Sequence, residues 1–173
     1  MVSLGLVFLA ALASPAGAVE NPLALAAKGS VQCYEPNEEK KTCRTIAAYR
    51  ALGDGSYMTI VTVLVSPEGS LTLQTASVVE VKNGGVCGVV KAEDIAAGRL
   101  QLAGQTITGE HATSLMAQIQ DALKGLVNKE VCTIYVPTAN GLMSKETVNG
   151  VYRADADALV KWIGPGDGYT VSP

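Results

Sequence analysis

The chain has 173 residues, a formal net charge of −3 and 48% hydrophobic residues, enough for one ordinary domain with its own core. The acidic balance argues against nucleic acid, because phosphate neutralisation needs a basic face. Beyond the amino terminus no segment is long and apolar enough to span a bilayer, and no Asn stands two places before Ser or Thr to accept an N-glycan.

Val2 to Ala13 is an apolar run of the length of a signal-peptide core, and Ala16-Gly17-Ala18 offers the small residues that precede a cleavage site. Pro15 breaks the run short of the roughly 18 residues that a spanning helix needs. The segment before it carries no Lys or Arg, so either the α-amino group supplies its only positive charge or the true start lies upstream. We therefore expect residues 1–18 to be a cleaved signal peptide, 19–165 a single α+β domain and 166–173 a C-terminal tail. The expected location is outside the cytosol, periplasmic or secreted, with no membrane span in the mature chain.

Asn21-Pro22 can start a short helix over 22–28, which Lys28 and Gly29 suit as an ending. Ser30 to Tyr34 reads as a first strand, and Glu38-Glu39-Lys40-Lys41 as a solvated turn. A meander follows from 44 to 90: strands at 44–51, 57–65, 71–81 and 86–90, separated by Gly-Asp-Gly-Ser, Ser-Pro-Glu-Gly and Asn-Gly-Gly turns. Short connections make neighbouring strands antiparallel. Tyr57, Thr59, Val61, Val63 and Val65 alternate with Met58, Ile60, Thr62 and Leu64. Neither face is properly polar, so the pattern predicts a central strand covered on both sides.

Residues 93–97 suit one or two helical turns, and 99–102 and 105–108 two brief extended pieces. From Gly109, apolar Ala112, Leu115, Met116, Ile119, Ala122, Leu123 and Leu126 recur at three- and four-residue steps, the stripe of a long amphipathic helix. Strands at 130–136, stopped by Pro137, and 142–148 form a hairpin around Thr138-Ala139-Asn140-Gly141. A second helix is expected over 155–163, with Asp155 and Asp157 in its first turn and Trp162 packed beneath it. The fold class is thus α+β: an antiparallel sheet of about five to seven strands (meander 44–90 plus hairpin 130–148) with one long helix packed on a face.

Cys33, Cys43, Cys87 and Cys132 all follow the signal, and an even count in an exported chain reads as two disulfides. Of the three connectivities we favour Cys33–Cys43 and Cys87–Cys132. No cysteine pair has the two-residue spacing of a zinc site or a redox motif. His111 is the one histidine, and Ser114 lies a helical turn beyond it, but no G-x-S-x-G elbow exists. Gly84 to Gly88 lacks the phosphate-loop pattern, and Asp54 and Asp167 sit in Gly-Asp-Gly turns. Tyr34, Tyr49, Tyr57, Tyr135 and Tyr152 fall mostly on strands; core edges explain them more readily than a shared binding surface.

The inventory of reactive groups is bare. It favours a non-catalytic, disulfide-stabilised binding or structural protein of the cell envelope, partnered by a protein or small ligand there, with no cofactor and no metal. The rival is a small extracytoplasmic hydrolase using His111, with Ser114 beside it.

Overall fold

A computed structural model describes residues 21–66 and 70–173. The expected signal peptide and residues 67–69 of the Ser-Pro-Glu-Gly turn lie outside them. Among the described residues 53% are in strands and 15% in helices, which overturns the α+β expectation. The protein is an all-β fold built on a closed eight-stranded antiparallel barrel.

The barrel strands are β1 (Val31–Tyr34), β3 (Thr45–Ala51), β4 (Ser56–Ser66), β5 (Leu71–Lys82), β6 (Gly85–Val89), β9 (Glu130–Thr138), β10 (Gly141–Val148) and β11 (Val151–Ile163). Their order is β4-β3-β1-β11-β10-β9-β6-β5, and β5 returns to β4 to close the ring. The meander and the 130–148 hairpin both form where the alternation and turn residues place them. They close because β11 lies between β10 and β1, antiparallel to both.

That strand covers the segment read as a second helix. Ala154-Asp155-Ala156-Asp157-Ala158 alternates with period two, yet its residues are weak strand formers and good or neutral helix formers. Tertiary pairing overrides that local preference. Between Ser144↔Ala158 and Glu146↔Arg153 the β11 side carries extra residues, a wide bulge opposite Lys145. Lys145 Nζ binds Asp157, and the Tyr152 hydroxyl donates to Asp157 Oδ2 at 2.6 Å. Arg153 grips Asp155 with two hydrogen bonds. The two acids thus hold a bulge and cap no helix. Trp162 lies opposite Gln32 in the β1–β11 ladder.

Strand β5 serves two structures. Its C-terminal end pairs with β6, while residues 71–74 pair on the same edge with β7 (Arg99–Leu102), which is followed by β8 (Gln105–Thr106). Between these ladders residues 75–79 pair only with β4. The link from β6 to β7 passes this gap as a short helix, α1 (Ala92–Ala96), whose Ile95 is buried. A Cβ on Gly98, where that link turns into β7, would stand 2.8 Å from Leu73 Cδ1 and 2.9 Å from the Ile95 carbonyl. Glycine is what lets α1 sit so close to β5.

The amphipathic helix, α2 (Gly109–Leu123), packs Ala112, Leu115, Met116 and Ile119 against Leu71, Leu73 and Leu100. Val63, Leu73 and Leu100 are consecutive partners in register, so they share one face. That face continues the barrel interior, because Val61↔Thr75 and Thr59↔Ser77 follow on the same side. The long helix therefore covers one end of a barrel. At the other end, residues 21–25 turn into a single 3₁₀ turn (Ala26–Lys28), with Asn21 Oδ1 accepting the Leu23 N–H at 2.9 Å and Leu23 only 1% exposed.

β4 is not covered on both sides. Its Thr59 and Val61 face the interior, whereas Ile60 stands 44% exposed outside. The mixed polarity of both faces reflects a hollow interior, which tolerates Thr and Ser among Val. β9 also runs through Pro137, which pairs with Leu142 beside the hairpin tip.

Both disulfides are present as expected, Cys33–Cys43 and Cys87–Cys132, leaving no free cysteine. Cys87 and Cys132 are direct partners of β6 and β9 with Cα atoms 4.0 Å apart. Cys43 belongs to β2 (Thr42–Cys43), which pairs in parallel with β12 (Thr170–Val171), so the C-terminal segment is fastened to the first disulfide. Tyr169 packs on Cys33, Cys43 and Ile163, and its hydroxyl binds Glu38. Two disulfides in a small β-barrel suit an oxidising, extracytoplasmic compartment. Among the described residues, no helix is long and apolar enough to cross a membrane.

Candidate functional site

Directly opposed residues of an antiparallel pair share a face, so the barrel interior can be followed strand by strand. Gln32 stands opposite Ala47, Tyr34 opposite Thr45 and Tyr49 opposite Thr59. On the far wall Tyr135 meets Ser144, Thr133 meets Glu146, and Ser144 meets Ala158. Few of these side chains are large. Ala47, Gly88, Ala156 and Ala158 stand where bulkier residues would fill an eight-stranded barrel, whose bore is just wide enough for side chains or one small ligand. A cavity of about 460 Å³ remains. Its mouth is marked by Glu35 and Arg44 at the end of β1 and start of β3, and by Lys91 and Asp94 around α1.

Three tyrosines from three strands converge on one buried amide. Gln32 is fully buried, and its Oε1 accepts from the hydroxyls of Tyr49 at 2.9 Å, Tyr135 at 3.0 Å and Tyr34 at 3.1 Å. Tyr34 and Tyr135 hydroxyls also touch at 2.7 Å. Burial pushes the Tyr34 phenol well up, with neighbouring Tyr135 adding to the effect. Burial likewise raises Tyr49 and Tyr135. All three are neutral phenols over the physiological range. Gln32 Nε2 has no hydrogen-bond partner among the described residues, and Thr59 Oγ1, enclosed beside Tyr49, has none of normal geometry.

Glu146 completes the wall. Its half-buried carboxyl is held above the usual carboxylate range by burial, opposed by Arg153 and reinforced by Asp155. Ser144 is committed elsewhere, donating to the Ala158 carbonyl at 3.0 Å and accepting its N–H at 3.1 Å across the bulge. Val61, Val79, Val86 and Val131 give the wall its apolar patches, and the hydroxyls of Thr45, Thr59, Thr75, Ser77 and Thr133 stand among them. The result is a concave, largely apolar space with a few convergent polar groups, the general form of a small-molecule site.

No protein-family model, curated protein or solved structure matches this chain. The site must be read from its own residues.

His111 and Ser114 are both exposed on α2 and do not line the barrel cavity. Nor do the described residues gather three His, Cys, Asp or Glu side chains where they could share a metal ion. The four cysteines lie in the disulfides, apart from the cavity wall. The site sequence reasoning missed is the tyrosine cluster. Its signal was present as tyrosines on separate strands, but nothing local says that positions 34, 49 and 135 meet.

Proposed function

We propose that this protein is a non-catalytic carrier or sensor that holds one small organic molecule inside its barrel, and that it does so outside the cytosol as an exported, periplasmic or secreted protein. The observation that carries this is the cavity of about 460 Å³ ringed by the tyrosine cluster and Glu146. A barrel needing only stability would fill that space, since each void costs packing energy. Here four small residues on three strands keep it open, and enclosed Thr59 Oγ1 is without a normal partner. The two disulfides support the extracytoplasmic part. Exposed His111 and Ser114 give the hydrolase alternative no geometry to rest on.

The test is native mass spectrometry of the disulfide-intact protein equilibrated with a fragment set of mixed polarity. One-to-one adducts are expected, lost in Ala47→Phe and Ala158→Phe variants that keep both disulfides and their sheet circular dichroism. Equal adducts in both variants would put binding elsewhere and end the proposal.

A further inference from the structure

The class of ligand follows from a count of protons. The tyrosine cluster holds four short contacts, three from hydroxyls to Gln32 Oε1 and one between Tyr34 and Tyr135. A phenol carries one proton, so three hydroxyls have none to spare for a ligand. What their oxygens still offer is lone pairs. Gln32 lies behind them and is not a wall residue, so its amide N–H groups are not presented to the cavity. Ser144 has its proton on the Ala158 carbonyl.

Charge points the same way. At the mouth Glu35 and Asp94 offset Arg44 and Lys91, and Arg44 Nε lies 3.7 Å from Glu35. Arg153, opposite Glu146 in the ladder, turns its Nε and one terminal nitrogen to Asp155 at 3.0 and 2.7 Å and makes no salt bridge to Glu146 among the described residues. Lys145, next to Glu146 in sequence, is bound to Asp157 and Tyr152 on the outer face. Glu146 is thus left as a half-buried carboxyl on the cavity wall with no salt-bridge or hydrogen-bond partner among the described residues, Arg153 acting on it only at longer range.

We infer that the cavity takes an organic cation bearing N–H donors, a primary ammonium or amidinium on a compact apolar body, its head between Glu146 and the tyrosine oxygens and its body against the valines. This rests on the small-ligand reading above. The wall hydroxyls of Thr45, Thr59, Thr75, Ser77 and Thr133 can accept as well as donate and so fit such a head. The tyrosine oxygens offer only lone pairs, and a half-buried carboxylate without a salt-bridged cation calls for positive charge. The tyrosine rings add a cation–π contribution.

The experiment compares three probes of one shape, benzylammonium, benzyl alcohol and benzoate, titrated into the oxidised protein while tyrosine ring NMR signals are followed. Benzylammonium should bind at least tenfold tighter than benzyl alcohol, and benzoate weakest. Glu146→Gln should bring benzylammonium down to the benzyl alcohol value and leave benzyl alcohol unchanged. If benzyl alcohol or benzoate binds as well as benzylammonium, or the tenfold preference survives Glu146→Gln, the cation inference falls while small-ligand binding stands. If none of the three perturbs the wild-type tyrosine signals, both fall together.

Discussion

Tyr34 and Tyr135 are 101 residues apart in sequence, yet their hydroxyls stand 2.7 Å from each other over the Gln32 amide. This contact crosses the barrel interior and exists only if β1 and β9 are held by β10 and β11 between them. It ties the polar centre of the site to closure of the sheet.

That coupling is measurable. Tyr135→Phe should cost about 1 kcal/mol in urea unfolding, the usual net value of one hydrogen bond. Gln32→Leu should cost more, about 3 kcal/mol, because it leaves three buried hydroxyls competing for each other. The Tyr34→Phe/Tyr135→Phe double-mutant cycle should show coupling of about 0.5 kcal/mol or more. Strict additivity would mean that the 2.7 Å contact has no energetic content.

Glu146 gives stability a pH dependence of unusual sign. Burial raises its pKa in the folded state, so the folded protein binds this proton more tightly than the unfolded chain does. Its ionisation therefore opposes folding: the cost is absent below the ordinary glutamate range and complete above the raised folded value. Glu146→Gln should raise Tm at neutral pH, and the gain should vanish below about pH 4. A constant Tm difference across that span would contradict the assignment.

Asp157 should behave oppositely. The Lys145 ammonium, then the Tyr152 hydroxyl, hold its pKa below the usual value. Its contribution is present above the ordinary aspartate pKa and is lost as pH falls through the depressed one. Asp157→Asn should destabilise the protein at neutral pH, the penalty shrinking in acid. Hydrogen exchange should show the loosening concentrated at the 154–157 bulge, since that is the segment the pair holds.

The disulfides should differ in weight. By chain entropy, Cys87–Cys132, with a sequence separation of 45, stabilises by about 4 kcal/mol and Cys33–Cys43, with a separation of 10, by about 3 kcal/mol. Cys87→Ala/Cys132→Ala should lower the urea midpoint more than the Cys33→Ala/Cys43→Ala pair. The second pair should instead free the C-terminal segment, because β12 docks beside Cys43. Protease cleavage near Tyr169 would report it.

His111→Ala and Ser114→Ala should change stability by no more than about 0.5 kcal/mol, as exposed positions do. Fragment binding should be unaffected. A loss of binding in either variant would move the site from the cavity to α2.

How far the chain could be read in advance divides along a physical line. Local order set the meander, its Gly-Asp-Gly-Ser and Asn-Gly-Gly turns, the 130–148 hairpin, the amphipathic stripe of α2 and the pairing of near cysteines, because each depends on residues close in sequence. The 151–163 strand did not show itself, since alanine and aspartate favour other structure locally and only pairing with both β10 and β1 makes them a strand. Those alanines were small for a reason visible only in three dimensions: Ala156 and Ala158 border the cavity. Closure, the hollow interior and the meeting of Tyr34, Tyr49 and Tyr135 are long-range matters of register. The amino-acid order alone determined most of the segments that could be strands; the tertiary structure recruited 151–163 and decided that the strands form a ring, because only closure of β5 onto β4 covers the edge of β4 and leaves β5 open over residues 75–79 alone.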